Sequence, residues 1–201
     1  MLIRDLLIAL MLRTAQFHEL LTYKSVPELP NSMSSVKDLV WLLVRRFVDV
    51  LLREFGEDVV SVAVFGSIAR GDFTCTSDVD VLIVMRSVPR SRFRRYELVS
   101  RAVDAVEDLR CELARRGMYT GVSPVVLSVE EAKYFRPLYL DLVEDAVILY
   151  DRGGFLRRVL ERVRCYIALF GGKRVWLGRR WYWVFERGNP FIELVGVKLV
   201  E

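Results

Sequence analysis

Asp78 and Asp80, two carboxylates separated by one residue, and a Gly66-Ser67 pair shortly upstream have the types and spacing to do chemistry. If Val79 to Val84 is a strand, alternation puts both carboxylates on one face and Val79 and Val81 on the other. Their Cα atoms then lie about 6.6 Å apart, two rises of ~3.3 Å. From that separation the carboxylates can converge on cations roughly 3.5–4 Å apart, the arrangement of two-metal phosphoryl chemistry. Without cations each carboxylate raises the pKa of the other. A hard, oxygen-binding ion, Mg²⁺ or Mn²⁺, relieves that repulsion. Gly66 lacks the Cβ that would keep backbone away from a ligand. Ser67 adds a hydroxyl and an amide, and Ile68-Ala69-Arg70 can begin a short helix whose free amides attract phosphate oxygens. Alone, the Gly-Ser pair is a turn and the Asp-Val-Asp a solvated strand end. In this order they make a nucleotide site.

The elements that must position these residues are legible on either side. Residues 1–32 form an N-terminal extension, with an apolar segment and then a proline-punctuated linker, Ser25 to Ser32. A shortened chain starting at Met33 is expected to fold and bind nucleotide like the full-length one. Met33 opens a helix signal with Ser34 or Ser35 as N-cap and Asp38 in the first turn. Apolar residues then recur from Val36 to Leu51 at helical period until Gly56. Val59 to Phe65 is β-branched and of strand length, and Val79 to Val84 makes a second strand. An arginine-rich connection, Arg86 to Arg95, leads to one long helix ending at Gly117, and a third strand covers Val122 to Leu127. A helical pattern resumes near Glu130, interrupted at Pro137, and Val147 to Tyr150 is a further extended piece. The domain is therefore expected to span residues 33–152, with a C-terminal appendage over 153–201. That appendage reads as a helix after Gly153-Gly154, with Leu156 to Phe170 on its buried face, and a β-ribbon, turning at Gly188-Asn189-Pro190 before Phe191 to Val200. The element order predicts an α+β fold, a small mixed β-sheet flanked by helices.

Composition bounds the alternatives. Hydrophobic residues make up 53% and charged residues 28%, which suits a packed core and excludes disorder. The longest apolar run, Leu6 to Leu12, is too short to span a bilayer and makes a poor signal peptide, so a cytoplasmic protein with no membrane association is expected. Cys75, Cys111 and Cys165 form no CxxC pair, and His18 is the only histidine, so neither a zinc site nor a disulfide framework is expected. The thiols read as buried or partly buried. The net charge of +4 comes from a basic set in which lysine supplies only five of 30 residues. Arginine binds phosphate bidentately but also builds ion pairs, so the excess alone does not establish nucleic-acid binding. Arg157, Arg158, Arg162, Arg164, Lys173, Arg174, Arg179 and Arg180 lie near Trp176, Trp181 and Trp183. That composition fits either an RNA-stacking surface or a solvated helix face beside a packed hairpin.

The segment from Val62 to Val84 resembles the DNA polymerase beta-like nucleotidyltransferase superfamily, and in particular its minimal nucleotidyltransferase branch. The signature Gly-Ser-x-Ala-Arg-Gly, a short loop, then Ser-Asp-x-Asp is matched at Gly66, Ser67, Ala69, Arg70, Gly71, Ser77, Asp78 and Asp80. A looser match in element order runs from Val36 to Tyr150. The resemblance implies that Gly66 and Ser67, with Arg70 and Ser77, bind the nucleotide. It implies that Asp78 and Asp80 are the catalytic, metal-binding pair. For Arg70 a structural ion pair and a phosphate contact both stay open. The family usually carries a third carboxylate on the next strand; here Ser123 aligns to it, and serine is no base at neutral pH. The implied activity is transfer of a nucleoside monophosphate from an NTP, with ATP expected, to a protein, a small molecule or an RNA end. A small all-helical protein partner, as in an antitoxin-like module, belongs to the same expectation. The Ser123 departure supplies the alternative, a nucleotide-binding or partner-binding module with little catalysis. No sequence feature identifies the acceptor.

Overall fold

The computed structural model describes residues 35–178 and 180–201, so the expectations for residues 1–32 and for a helix start at Met33 or Ser34 lie outside the described residues. The chain divides into two compact units. Among described residues, one comprises 35–131 and 145–155, and the other 132–144 and 156–201.

The first unit opens with helix α1, Val36–Phe55. Ser35 caps it: its hydroxyl accepts from the Asp38 amide at 3.1 Å, and the Asp38 carboxylate accepts from the Ser35 amide at 3.2 Å. This reciprocal box satisfies two otherwise orphaned donors and contributes about 1 kcal/mol. Leu39, Val40, Leu43, Val44, Phe47 and Leu51 are buried along one stripe, and Gly56, at φ 50°, ends the helix. Strand β1, Val59–Phe65, follows, and Gly66–Arg70 forms the short helix α2. Strand β2 is Val79–Met85. Two helices come next, α3 (Arg92–Asp104) and α4 (Glu107–Arg115). The expected single long helix is thus broken at Ala105–Val106. Val106 leaves the helical region with ψ near 8° but stays fully buried, so one apolar stripe continues across the break. Strand β3 is Val122–Ser128, followed by the single turn α5, Val129–Ala132. Helix α6, Leu138–Asp145, belongs to the other unit as far as Glu144, and the chain returns to the first with strand β4, Val147–Asp151.

The sheet order is β3-β2-β1-β4, with β1 antiparallel to both β2 and β4 and β2 parallel to β3. It is a mixed sheet in an α+β unit, as the element order implied. Val62 and Val64 of β1 and Val79, Val81 and Ile83 of β2 share a core with the apolar stripes of α1, α3 and α4. Pro124 sits in β3, an edge strand, where a missing donor is tolerated. The register with β2 runs unbroken from Val79↔Val122 to Met85↔Ser128, so proline causes no bulge. Arg95 fastens α3 beneath this strand, donating to the Val126 carbonyl at 3.0 Å and to both oxygens of Glu131 at 2.8 Å.

The second unit contains α7 (Phe155–Leu169, from Leu156 on) and a hairpin of β5 (Gly172–Leu177) and β6 (Arg180–Phe185). On one hairpin face Arg174 opposes Trp183, and Trp176 opposes Trp181. The Arg174 guanidinium lies 4.5 Å from the Trp181 ring centroid and 5.8 Å from that of Trp183. Trp183 donates its indole N–H to Asp141 at 3.1 Å. The arginine and tryptophans therefore stack on each other within the unit. None of Arg157, Arg158, Arg162 and Arg164 is free of a partner either. After the turn, the expected strand from Phe191 to Val200 is replaced by the short helix α8, Pro190–Glu193. Asn189 caps it by accepting from the Phe191 amide at 3.0 Å, with proline pre-set at the first helical position. Among the described residues no helix is long and apolar enough to cross a membrane.

Candidate active site

The chemistry-bearing residues gather where β1 ends and β2 and β3 begin. Gly66 follows the last residue of β1 with φ +71°, a conformation that suits a residue without Cβ. A second constraint acts on the same atom: a Cβ there would stand 2.6 Å from Asp80 Oδ2. Ser67 and Ile68 then turn into α2, which Gly71 closes in the left-handed region at φ 83°. The Gly71 and Asp72 amides both bond the Ser67 carbonyl, at 2.9 and 3.2 Å. The loop to β2 is closed by Ser77, whose hydroxyl accepts from the Thr74 amide at 2.9 Å.

Asp80 pairs across the sheet with Phe65 on β1 and Ser123 on β3. Asp78, just before β2, accepts the Gly121 amide at 2.7 Å, while the Val79 amide donates to the Gly121 carbonyl at 2.9 Å. Gly121 thus holds the outer carboxylate in place through its backbone, a contact no sequence signal discloses beyond a glycine before a strand. Asp78 is exposed and Asp80 half-buried. Burial, with the Asp78 charge second, pushes the Asp80 carboxyl above its ordinary range; a hydrogen bond from Ser123 and the charge of Arg70 pull the other way.

Arg70 donates to Asp145 at 3.0 Å and to Asp72 at 3.2 Å. The Asp145 side chain is 4% exposed. Burial would lower the guanidinium pKa, but the bonds to Asp145 and Asp72 hold it above its usual value. Arg70 therefore makes a structural ion pair. Of the downstream carboxylates, Asp145 reaches Arg70 and Glu131 is engaged by Arg95. Among the described residues no group of three or more His, Cys, Asp or Glu is placed to hold a metal ion. The two aspartates alone suit Mg²⁺, which takes one or two carboxylates and completes its shell with water and substrate phosphates. The thiols depart from expectation: Cys75 and Cys111 are exposed and only Cys165 is buried, where burial pushes its pKa up to about 11.

A model of the nucleotidyltransferase domain family matches residues 44–123, from within α1 to the start of β3, which includes Gly66, Ser67, Asp78, Asp80 and Ser123. A protein of Methanocaldococcus jannaschii named as a candidate protein adenylyltransferase, MJ1305, is 30% identical over 120 residues, covering 59% of this chain and 76% of that protein. The chain belongs to the nucleotidyltransferase family. Similar solved structures include a toxin–antitoxin complex with AMP-PNP (TM-score 0.41, 16% identity, 62% of this chain and 88% of that one). The toxin–antitoxin pair MntA–HepT is another (TM-score 0.39, 15% identity, 65% and 89%).

Proposed function

We propose that this nucleotidyltransferase moves AMP from ATP to a hydroxyl group of a protein, using a divalent cation, Mg²⁺ or Mn²⁺, held by Asp78 and Asp80. The observation that carries the proposal is Asp80 Oδ2 standing where a Cβ of residue 66 would lie, with Asp78 near enough for its charge to act on the same carboxyl. Protein as acceptor and AMP as the transferred group follow the name of the Methanocaldococcus relative.

When bound, the cation neutralises triphosphate charge and stabilises the departing pyrophosphate. The chain's own residues do the rest. Gly66 and Ser67 offer backbone close to the phosphates, and Ser77 keeps the loop before Asp78 short and closed. Gly121 fixes one oxygen of Asp78 and leaves the other for the cation. Arg70, tied to Asp145, braces α2 under the turn. A small helical protein of the kind expected from the family resemblance is the proposed acceptor partner.

Ser123 in register with Asp80 favours a second reading, a nucleotide-binding module with slow turnover. The experiment that tests both incubates the full chain with Mg²⁺ or Mn²⁺, α-labelled ATP and an extract of the source cells. Label in a protein band that requires the cation and is lost in Asp80→Asn supports transfer. ATP binding with no labelled product leaves the module, and label appearing only in RNA removes the protein acceptor.

A further inference from the structure

A pocket of about 390 Å³ adjoins Asp78 on the β3 side, walled by Glu107, Arg110, Cys111 and Ala114 of α4 and by Tyr119 to Gly121. None of Gly66 to Arg70 lines it. β1 and β3 flank β2 on opposite sides; the Gly66 turn follows β1 and stands against Asp80, whereas the pocket adjoins Asp78 and the residues that lead into β3. We propose that this pocket is the acceptor subsite, which receives a hydroxyl-bearing side chain of the protein being modified; the inference rests on the nucleotidyl-transfer reading above.

In-line displacement at phosphorus requires the attacking and leaving oxygens to stand on opposite sides of the transferred group. With the triphosphate on the β1 side, the attacking oxygen must come from the β3 side. The acceptor oxygen forms its bond to the α-phosphorus as the bond to the bridging oxygen breaks. Pyrophosphate leaves with that electron pair, and the hydroxyl proton passes to water at the pocket mouth. The lining matches such a guest. Glu107 and Arg110 neutralise each other in an ion pair, and Arg110 is pinned to the Thr120 carbonyl at 3.0 Å. With Arg110 so engaged, the wall offers no unpaired basic side chain to a triphosphate and tolerates a neutral hydroxyl. Ala114 and the exposed Tyr119 ring supply apolar surface for the stem of a side chain.

Cys111 permits a test in which folding is not at issue. In the full chain carrying Cys75→Ser, Cys111 is the exposed thiol, since Cys165 is buried, and N-phenylmaleimide on it fills the pocket of the folded protein. Ala114→Trp fills the same space genetically. Binding of ATP with Mg²⁺ is expected to stay within about twofold of the unmodified chain, while labelling of extract protein from α-labelled ATP falls at least roughly tenfold, with the loss carried by acceptor concentration dependence. Parallel loss of ATP binding would place the nucleotide's base in the pocket and overturn the proposal. Unchanged labelling in both filled forms would overturn it as well. An unmodified chain that binds ATP but labels nothing removes the transfer reading instead, and the subsite with it.

Discussion

Gly66 and Asp80 meet so closely that residue 66 has no room for a side chain: a Cβ would lie 2.6 Å from Asp80 Oδ2. Gly66→Ala is therefore expected to displace the carboxylate as well as strain a turn at φ +71°. The backbone term alone costs roughly 1 kcal/mol, so the variant should fold, with a melting temperature a few degrees lower. Cation-dependent ATP binding, read by titration calorimetry, should fall at least about tenfold.

Asp78→Asn with Asp80→Asn should abolish cation-dependent ATP binding. Burial and the neighbouring Asp78 charge disfavour ionised Asp80, so removing both charges relieves repulsion in metal-free buffer. The double variant should melt at or above the unmodified chain near neutral pH; ATP affinity unchanged by it would refute the metal assignment.

Ser123 occupies the β3 position level with Asp80 and donates to its carboxylate. A positioned base at an attacking hydroxyl contributes ~10²–10⁴-fold to rate. Ser123→Asp should leave ATP binding within a few-fold and raise the transfer rate. A starting rate already in the ordinary enzyme range of ~1–10³ per second would show that another group serves as base.

Arg70 and Asp145 form a pair in which the carboxylate is 4% exposed. Removing one partner of such a pair costs about 3–5 kcal/mol, because the other charge is stranded. Arg70→Met should lower denaturant stability by about that much, whereas Asp72→Asn on the exposed side should change it by less than about 1 kcal/mol.

The Arg95–Glu131 pair gives a pH signature. Arg95, with Ser128 assisting, holds the Glu131 carboxyl below its usual value. A lowered carboxylate pKa stabilises the fold above the unfolded-state value and ceases to do so as pH falls through the folded-state value. Glu131→Gln should thus cost about 1–2 kcal/mol at pH 7 and progressively less on acidification below pH ~4.5. An equal cost at pH 7 and pH 3 would show that shape, and not charge, carries the contact.

Much of this site is legible in the chain because its chemistry is local. Gly66 to Asp80 fall within one strand–turn–strand segment, and alternation sets Asp80 between the buried Val79 and Val81 of β2. The periodic stripe from Val36 to Leu51 and the β-branched run before Gly66 likewise specify their elements, since burial repeats at helix or strand spacing. What stays hidden depends on pairing across sequence distance. Gly121 reaching Asp78, Asp145 reaching Arg70 and the α4 pocket all need β3, β4 and the crossover in place, and no periodicity encodes which polar groups will then face each other. The break at Ala105 leaves no mark in the pattern because the apolar stripe continues through it. The strand expected after Phe191 fails because alternation in β6 does not extend past an Asn-Pro pair that caps a helix.

The parallel pairing of β2 with β3 has a consequence for how the protein comes into being. During synthesis the whole Gly66–Asp80 motif emerges and can pair as β1–β2 while the strand bearing Gly121 and Ser123 is still unmade. Parallel pairing then waits on closure of the long crossover through α3 and α4, whose entropy must be met before any contact rewards it. Until that closure Asp78 lacks its amide partner and the carboxylate pair has one wall missing. The nascent chain carries the complete signature without a competent centre, and the first appearance of nucleotide binding would time the closure of that crossover.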